Sequence, residues 1–294
     1  MKKVLINANA ARQGGGKTYL LNILKNYPSD KFDISMIIHK NHESFFHELK
    51  GITFINPNIS ESNLLSRFLW ENIFIPIYIL KNKIDIFFAP SGILPKFFRP
   101  KACKYVTVSQ NMLPFSPRLL AELTKLTHKI KFKLVQKSQL HGFNNSDLII
   151  FISNFARNEI TKFGLRKNRK CTTIPHGISE EFRTPLPSQH LREKYGTFFT
   201  YVSSFHPYKS QVEVISAWKT FKDSFPENKD KLILIGDNST PYGTNALNKC
   251  NQLNLNDSVI FTGQINYKEM PNYYHQSIAN IFASQCENCP NILL

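Results

Sequence analysis

The sequence predicts an α/β protein of two Rossmann-like halves facing a cleft. Three observations carry this expectation. Short apolar runs alternate with helical-looking stretches, the pattern of a parallel sheet joined by crossover helices. The runs fall into two series, separated by a stretch rich in proline, glycine and charge. The chain has 294 residues, 42% hydrophobic and 20% charged, which suffices for two domains and is too apolar for a disordered chain.

The first series comprises residues 4–6, 34–38, 52–55, 84–89, 105–108 and 148–152. Its opening run, in "MKKVLINANA", is too short for a signal-peptide core and reads as a first strand. Gly14, Gly15 and Gly16 follow, before a helix expected to begin near Thr18. In such sheets, ligands bind at the carboxyl ends of strands, where glycine turns meet helix N-termini. The stretch "AARQGGGKTYLL" also approaches the phosphate loop of nucleotide hydrolases and kinases. Gly16-Lys17-Thr18 are in place, and Ala11 stands where the first glycine belongs. That reading needs a metal-holding Asp at a neighbouring strand end. The candidate, Asp237 of "KLILIGD", lies beyond the linker.

The linker spans 176–196, "HGISEEFRTPLPSQHLREKYG", and divides the chain into domains 1–190 and 191–294. The second series comprises 198–202, 232–235, 259–261 and 278–282. Its first strand leads through "YVSSFHPYKSQVEVISAW" to a helix expected near Ser210, with Lys209 at the mouth. Its last strand, ending near Phe282, leads to a loop carrying Glu287 and to Pro290, a residue favoured at a first helical position. A carboxylate just before a helix mouth suits recognition of hydroxyls, and the free N–H groups beside it suit a diphosphate.

These stretches resemble the retaining glycosyltransferases of family 4, the group 1 glycosyltransferases of GT-B fold. The family's S-x-x-E-x-x-P-x-x-L-L pattern is matched by Ser284, Glu287, Pro290, Leu293 and Leu294. "NNSDLIIFISNFARNEI", "TTIPHGISEEF", "LILIGD", "VIFTGQI" and "GGGKTYLL" are similar to further family segments, and Lys209 falls on the family's lysine position. The resemblance implies transfer of a sugar from a nucleotide-sugar donor without a metal or other cofactor. Domain 1–190 would be the acceptor side and 191–294 the donor side. Lys209 would neutralise the leaving diphosphate, helped by backbone near Gly15, Gly16, Asn291 and Ile292. Glu287 would hold donor-sugar hydroxyls. Ser204, Gly236, Gly263 and Gln264 would line the nucleotide, with Gly263 to Ile265 meeting the base through backbone. The absence of a D-x-D sequence fits metal-independent chemistry.

Departures from the pattern matter as well. The usual arginine beside the phosphates is Ser204, and its flanking glycines are Ser203 and Ser210. Where many members carry a histidine this chain has Gln110, followed by Asn111. Gln110 cannot be a general base. It would either position an acceptor hydroxyl or, with Asn111, cap the loop. The family's second glutamate would follow Leu294, and one helical turn after Pro290 is too short to be stable. The second domain is therefore expected to be incomplete, the chain a truncated product that would be inactive as it stands.

The net charge is +16, so an anionic partner is expected. Residues 96–140 carry Lys96, Arg99, Lys101, Lys129, Lys131, Lys133 and Lys137 among others, against the single acid Glu122. Within them Leu119, Leu120, Leu123, Leu126, Ile130, Leu134 and Val135 are spaced for an amphipathic helix. That arrangement suits an anionic membrane surface, the alternative being a helix packed on its own domain. No nucleic-acid-binding motif appears, and no run approaches the length of a membrane span. Cys103, Cys171, Cys250, Cys286 and Cys289 form no disulfide framework and point to a reducing cytoplasm. Cys286-x-x-Cys289 lacks the second ligand pair of a zinc site. The nine histidines show no metal spacing, and His176 reads as a loop residue.

The expected setting is bacterial surface polysaccharide or lipopolysaccharide synthesis on the cytoplasmic face of the inner membrane, with a glycan or lipid-linked acceptor. Two other classes stay open on sequence alone. One is a P-loop hydrolase or kinase using Gly16-Lys17-Thr18. The other is a non-catalytic, basic membrane-binding remnant.

Overall fold

A computed structural model describes residues 1–11, 15–57, 64–123, 125–184 and 190–293. The chain divides into two compact units, Met1–His176 and Gly177–Leu294. The junction expected near residue 190 abuts 185–189, outside the described residues.

The first unit runs β1 (Lys2–Asn7), α1 (Gly15–Lys25), β2 (Phe32–Ile37), α2 (Lys40–Glu43), β3 (Ile52–Ile55), α3 (Leu64–Leu69), a π-turn (Trp70–Phe74), α4 (Ile75–Asn82), β4 (Ile86–Ala89) and β5 (Lys104–Ser109). It continues with α5 (Pro117–Glu122), α6 (Leu126–Asn145), β6 (Leu148–Phe151), α7 (Asn154–Thr161) and β7 (Cys171–Thr173). The seven strands form one sheet in the order β3-β2-β1-β4-β5-β6-β7, every pair parallel. Neighbouring residues on β1 feed opposite layers, as the two-residue period of a strand requires. Ile6 packs with Leu20, Leu24 and Met36, while Leu5 packs with Ile75, Ile79 and Phe87. Helices thus cover both faces, the condition for a buried parallel sheet.

The second unit runs α8 (His190–Tyr195), β8 (Phe198–Val202), α9 (Gln211–Ser224), β9 (Lys231–Ile235), α10 (Pro241–Gln252), β10 (Val259–Gly263) and α11 (Met270–Gln276). Its three strands are parallel in the order β10-β9-β8. Leu232 and Leu234 pack with Ile215, Trp218 and Ala246 on one side. Ile233 and Ile235 pack with Leu191, Phe198 and Tyr273 on the other.

Four expectations are corrected. The fourth run of the second series, 278–282, is no full strand and contributes one bridge, Asn280 to Thr200. Its backbone bonds to β8, Ile281 N–H donating to Thr200 O at 2.7 Å, then leaves to reach the loop before α9. The first helix begins at Gly15 rather than near Thr18, so Gly15 and Gly16 form its first turn. Gly14 lies outside the described residues. The end of the supposed linker is α8, whose Leu191 is buried. The basic stretch is not one helix packed along its apolar side, but breaks after α5. Leu126, 70% exposed, Ile130 and Leu134 then stand open to solvent on α6. The far end of α6 is held tightly instead: a Cβ on Gly142 would fall 2.0 Å from the Gly92 carbonyl oxygen.

Candidate active site

In the second unit β8 and the 278–282 segment bonded to it lead into two loops that meet at one place. Pro207–Lys209 forms a single 3-10 turn after β8, and Ser210 follows with φ 58° and ψ 32° before α9 starts. Ser210 thus occupies the left-handed region that glycine enters without steric cost. Tyr201, 1% exposed on β8, donates its hydroxyl to the Lys209 carbonyl from below. From the other side the 284–287 loop clamps the turn, with Gln285 N–H donating to Tyr208 O at 2.8 Å and Gln285 Nε2 to Ser210 Oγ at 3.0 Å.

The clamp brings Lys209 Nζ onto Glu287 Oε1 as an ion pair with both side chains largely buried. Ser284 Oγ donates to the same carboxylate oxygen at 2.7 Å. Removing either charge would strand the other away from water, which holds the pair together. The Lys209 ammonium also lies 5.2 Å from the Tyr208 ring centre. Tyr208 stacks on His206 at 5.6 Å, with the rings within 6° of parallel. Burial pushes the Tyr208 hydroxyl up to about 12, with the Glu287 charge adding to it. Burial, then the Lys209 charge, holds the His206 imidazole below its ordinary range.

The nucleotide-side glycines have backbone reasons of their own. Gly236 ends β9 with φ 147°, and a Cβ there would meet Ser203 O at 2.1 Å. Its N–H donates to Gly263 O at 3.0 Å, so the ends of β9 and β10 are tied together. Ser204 is exposed, and its carbonyl accepts from Gln211 Nε2 at 3.1 Å. Gln264 is exposed just past β10. Asn291 and Ile292 lie in a 3-10 turn, Asn291–Leu293, where an α-helix was expected. Asp237 is turned to its own loop: the Ser239 hydroxyl and N–H bond to it and hold its carboxyl below the usual range.

In the first unit, Gly15 and Gly16 open α1, and Gln110 follows β5 beside them. A Cβ on Gly16 would lie 3.7 Å from Ala11 Cα and 3.9 Å from Gln110 Oε1, ordinary contacts that leave room for one. Gln110 Nε2 is buried without a hydrogen-bond partner among the described residues. Asn111 behaves differently and caps the loop, accepting from Leu113 N–H at 3.0 Å. His176 sits edge-on to Tyr19 at 5.3 Å, its imidazole held below its ordinary range by burial. Lys17 is directed to α2 and the turn beyond it, 3.3 Å from His42 Nδ1 and 5.4 Å from the Phe45 ring centre. Its ammonium is thus engaged by side chains rather than held over a phosphate cradle.

Sequence reasoning singled out Lys209, Glu287 and Ser284, which the fold does bring together. It passed over Tyr208, His206, Tyr201 and Gln285, which hold them there. Tyr208 carried a signal, an aromatic residue directly before the lysine; Tyr201 and Gln285 act through backbone contacts that no spacing displays. Among the described residues no cluster of three or more metal-ligating side chains occurs. No described helix is long and apolar enough to cross a membrane.

Two Rossmann-like units, the second with a lysine–glutamate pair at its strand ends, define a glycosyltransferase of the GT-B class. The chain belongs to glycosyltransferase family 4, whose profile matches residues 13–182, and the group 1 glycosyl transferase profile matches residues 182–294. This membership replaces the P-loop reading. No curated protein sequence matches. Among solved structures, the chain is similar to sucrose-phosphate synthase from Thermosynechococcus elongatus, with TM-score 0.77 and 14% identity over 99% of this chain and 78% of that one. It is similar to Anabaena HepE in complex with UDP and glucose, with TM-score 0.72 and 16% identity over 100% and 77% of the two chains. For the trehalose-6-phosphate synthase OtsA the values are 0.64, 13%, 98% and 79%.

Proposed function

We propose that this glycosyltransferase moves a sugar from a nucleoside-diphosphate sugar to a glycan or lipid-linked acceptor, with retention of configuration and without a metal. The Lys209–Glu287 pair carries the proposal. In the ligand-free protein Glu287 holds the ammonium at the strand ends. A diphosphate entering there takes over Lys209 as counter-ion and releases Glu287 to accept from sugar hydroxyls. As the bond to the leaving phosphate breaks, charge grows beside Lys209, which stabilises it most at the transition state. Backbone N–H groups at the α1 mouth, Gly15 and Gly16, and at Asn291 and Ile292 add partial positive charge. Ser204, Gly236, Gly263 and Gln264 lie on the nucleotide side. Gln110 offers its amide to an acceptor hydroxyl, whose proton leaves with the departing phosphate.

UDP-sugars are the first donors to test, because HepE was solved in complex with UDP and glucose. The proposed setting is bacterial surface polysaccharide or lipopolysaccharide assembly at the cytoplasmic face of the inner membrane. The membrane contact would be made through 96–140, where exposed Leu126, Ile130 and Leu134 stand among Lys129, Lys131, Lys133 and Lys137. The test is transfer from a panel of nucleotide sugars in chelator, with the anomeric configuration of the product read by NMR. Transfer with retention in chelator is the expected result. Inversion, or strict dependence on a divalent metal, would overturn the mechanism.

A further inference from the structure

We propose that a second surface of the first unit, the outer face of the 64–82 helical segment with the Phe97–Phe98 loop, inserts into the interface of an anionic lipid bilayer. The inference does not depend on the transfer chemistry. It adds an inserting apolar face to the lysine contact proposed for α6.

Leu65, Leu69, Ile73 and Ile77 succeed one another at four-residue spacing, and all are exposed. In a continuous α-helix each such step overshoots a full turn by about 40°, so the row would wind away around the helix. The π-turn Trp70–Phe74 is wider and returns part of that rotation. The opposite side is fully used, with Ile75 and Ile79 at 1% and 2% exposure packed under the sheet. Burial of that side leaves Phe74 and Ile77, each 55% exposed, facing water.

The 95–98 loop extends this face. Lys96 N–H donates to Asn72 Oδ1 at 2.7 Å, which fastens the loop to the helix. Phe97, 75% exposed, meets Phe68 edge-on at 5.8 Å. A small apolar cavity of about 140 Å³ opens beside Trp70, Phe74 and Ile77, with Lys81 in its wall. A contiguous apolar area of this kind marks an interaction site rather than ordinary surface.

The charge around the face selects its occupant. Lys81, Lys83, Lys96 and Lys101 are exposed at its margins. The carboxylate within the segment, Glu71, is neutralised by Arg67 at 3.0 Å. Lysines around large apolar side chains match a surface that is anionic outside and apolar beneath, as a bilayer interface is. A second copy would set the same lysines against each other, in a protein of net charge +16.

The chain has two tryptophans. Trp218 is 5% exposed in the core of the second unit, whereas Trp70 stacks on Phe74 at 4.9 Å. Trp70 therefore reports on the face. The experiment titrates the protein with vesicles of brominated phosphatidylcholine, with and without phosphatidylglycerol, while following fluorescence and co-sedimentation. Wild type should bind the anionic vesicles with quenching of Trp70, and Trp70→Phe should bind with no quenching. Phe74→Glu with Ile77→Glu should weaken binding by at least about tenfold with an unchanged circular dichroism spectrum. Binding without quenching, or equal binding by the double variant, would overturn the inserting face. If Lys129→Gln with Lys133→Gln alone abolished binding, the α6 contact would stand without it. No vesicle binding at all would overturn both, and a wild-type dimer abolished by the double variant would assign the face to a second copy.

Discussion

The glycine mouth of α1 and the lysine turn before α9 are both strand-to-helix junctions, yet they are finished in opposite ways. At the first, Gly16 has room for a further carbon and Gln110 keeps an amide without a partner among the described residues. At the second, Lys209 is held by Glu287, Glu287 by Ser284, and the turn itself by Tyr201 and Gln285. The difference follows from charge. Helix-end N–H groups can be left open, because water satisfies them until a ligand arrives. A largely buried ammonium cannot, so the protein supplies a counter-ion that a diphosphate can replace.

The sharpest way to break this comparison is to remove one charge of the pair. Lys209→Ala should lower kcat/KM by about 10²–10³-fold, in the range for loss of a group that stabilises transition-state charge. Glu287→Gln keeps the shape and should lower kcat while leaving nucleoside-diphosphate binding nearly intact, as isothermal titration would show. Equal loss of both quantities would place Glu287 on the phosphates instead. Gly16→Ala tests the open junction. Thermal unfolding should be unchanged or shifted upward, since alanine is favoured over glycine in a helix by up to about 1 kcal/mol, while donor affinity falls about tenfold as backbone approach is blocked.

Acidification sharpens the comparison further. His141, His176 and His206 are each held below their ordinary range, chiefly by burial. The unfolded chain, with histidines near 6.5, therefore binds more protons as the pH falls. Their contribution to stability is complete above about 6.5 and is lost progressively below it. Unfolding midpoints in urea between pH 7.5 and 5.5 should fall, and the slope should be shallower in His206→Phe. The smallest effect is expected from Lys17→Ala, which should leave transfer within about twofold, because its ammonium faces His42 and Phe45.

Much of this was legible in the sequence because parallel strands are short apolar runs whose period is local. Nine of the ten strands among the described residues coincide with such runs. β7 does not, because Cys171–Thr173 is short and half-buried and announces no core face. The 278–282 run is apolar enough for a strand, but its pairing is cut short by the pull of the 284–287 loop onto Tyr208, a contact more than seventy residues distant in the chain. Lys209 and Glu287 were visible as residue types at strand ends. Their pairing was not, since it depends on Ser210 in a left-handed turn where a β-carbon is disfavoured.

The central claim is that Lys209 holds the donor diphosphate. Its most direct test is calorimetric titration of UDP into wild type, Lys209→Ala and Lys17→Ala, with magnesium and with chelator. The account predicts binding that is indifferent to magnesium, weakened at least about tenfold by Lys209→Ala and unaffected by Lys17→Ala. Magnesium-dependent binding of ATP or GTP, lost in Lys17→Ala and kept in Lys209→Ala, would contradict it.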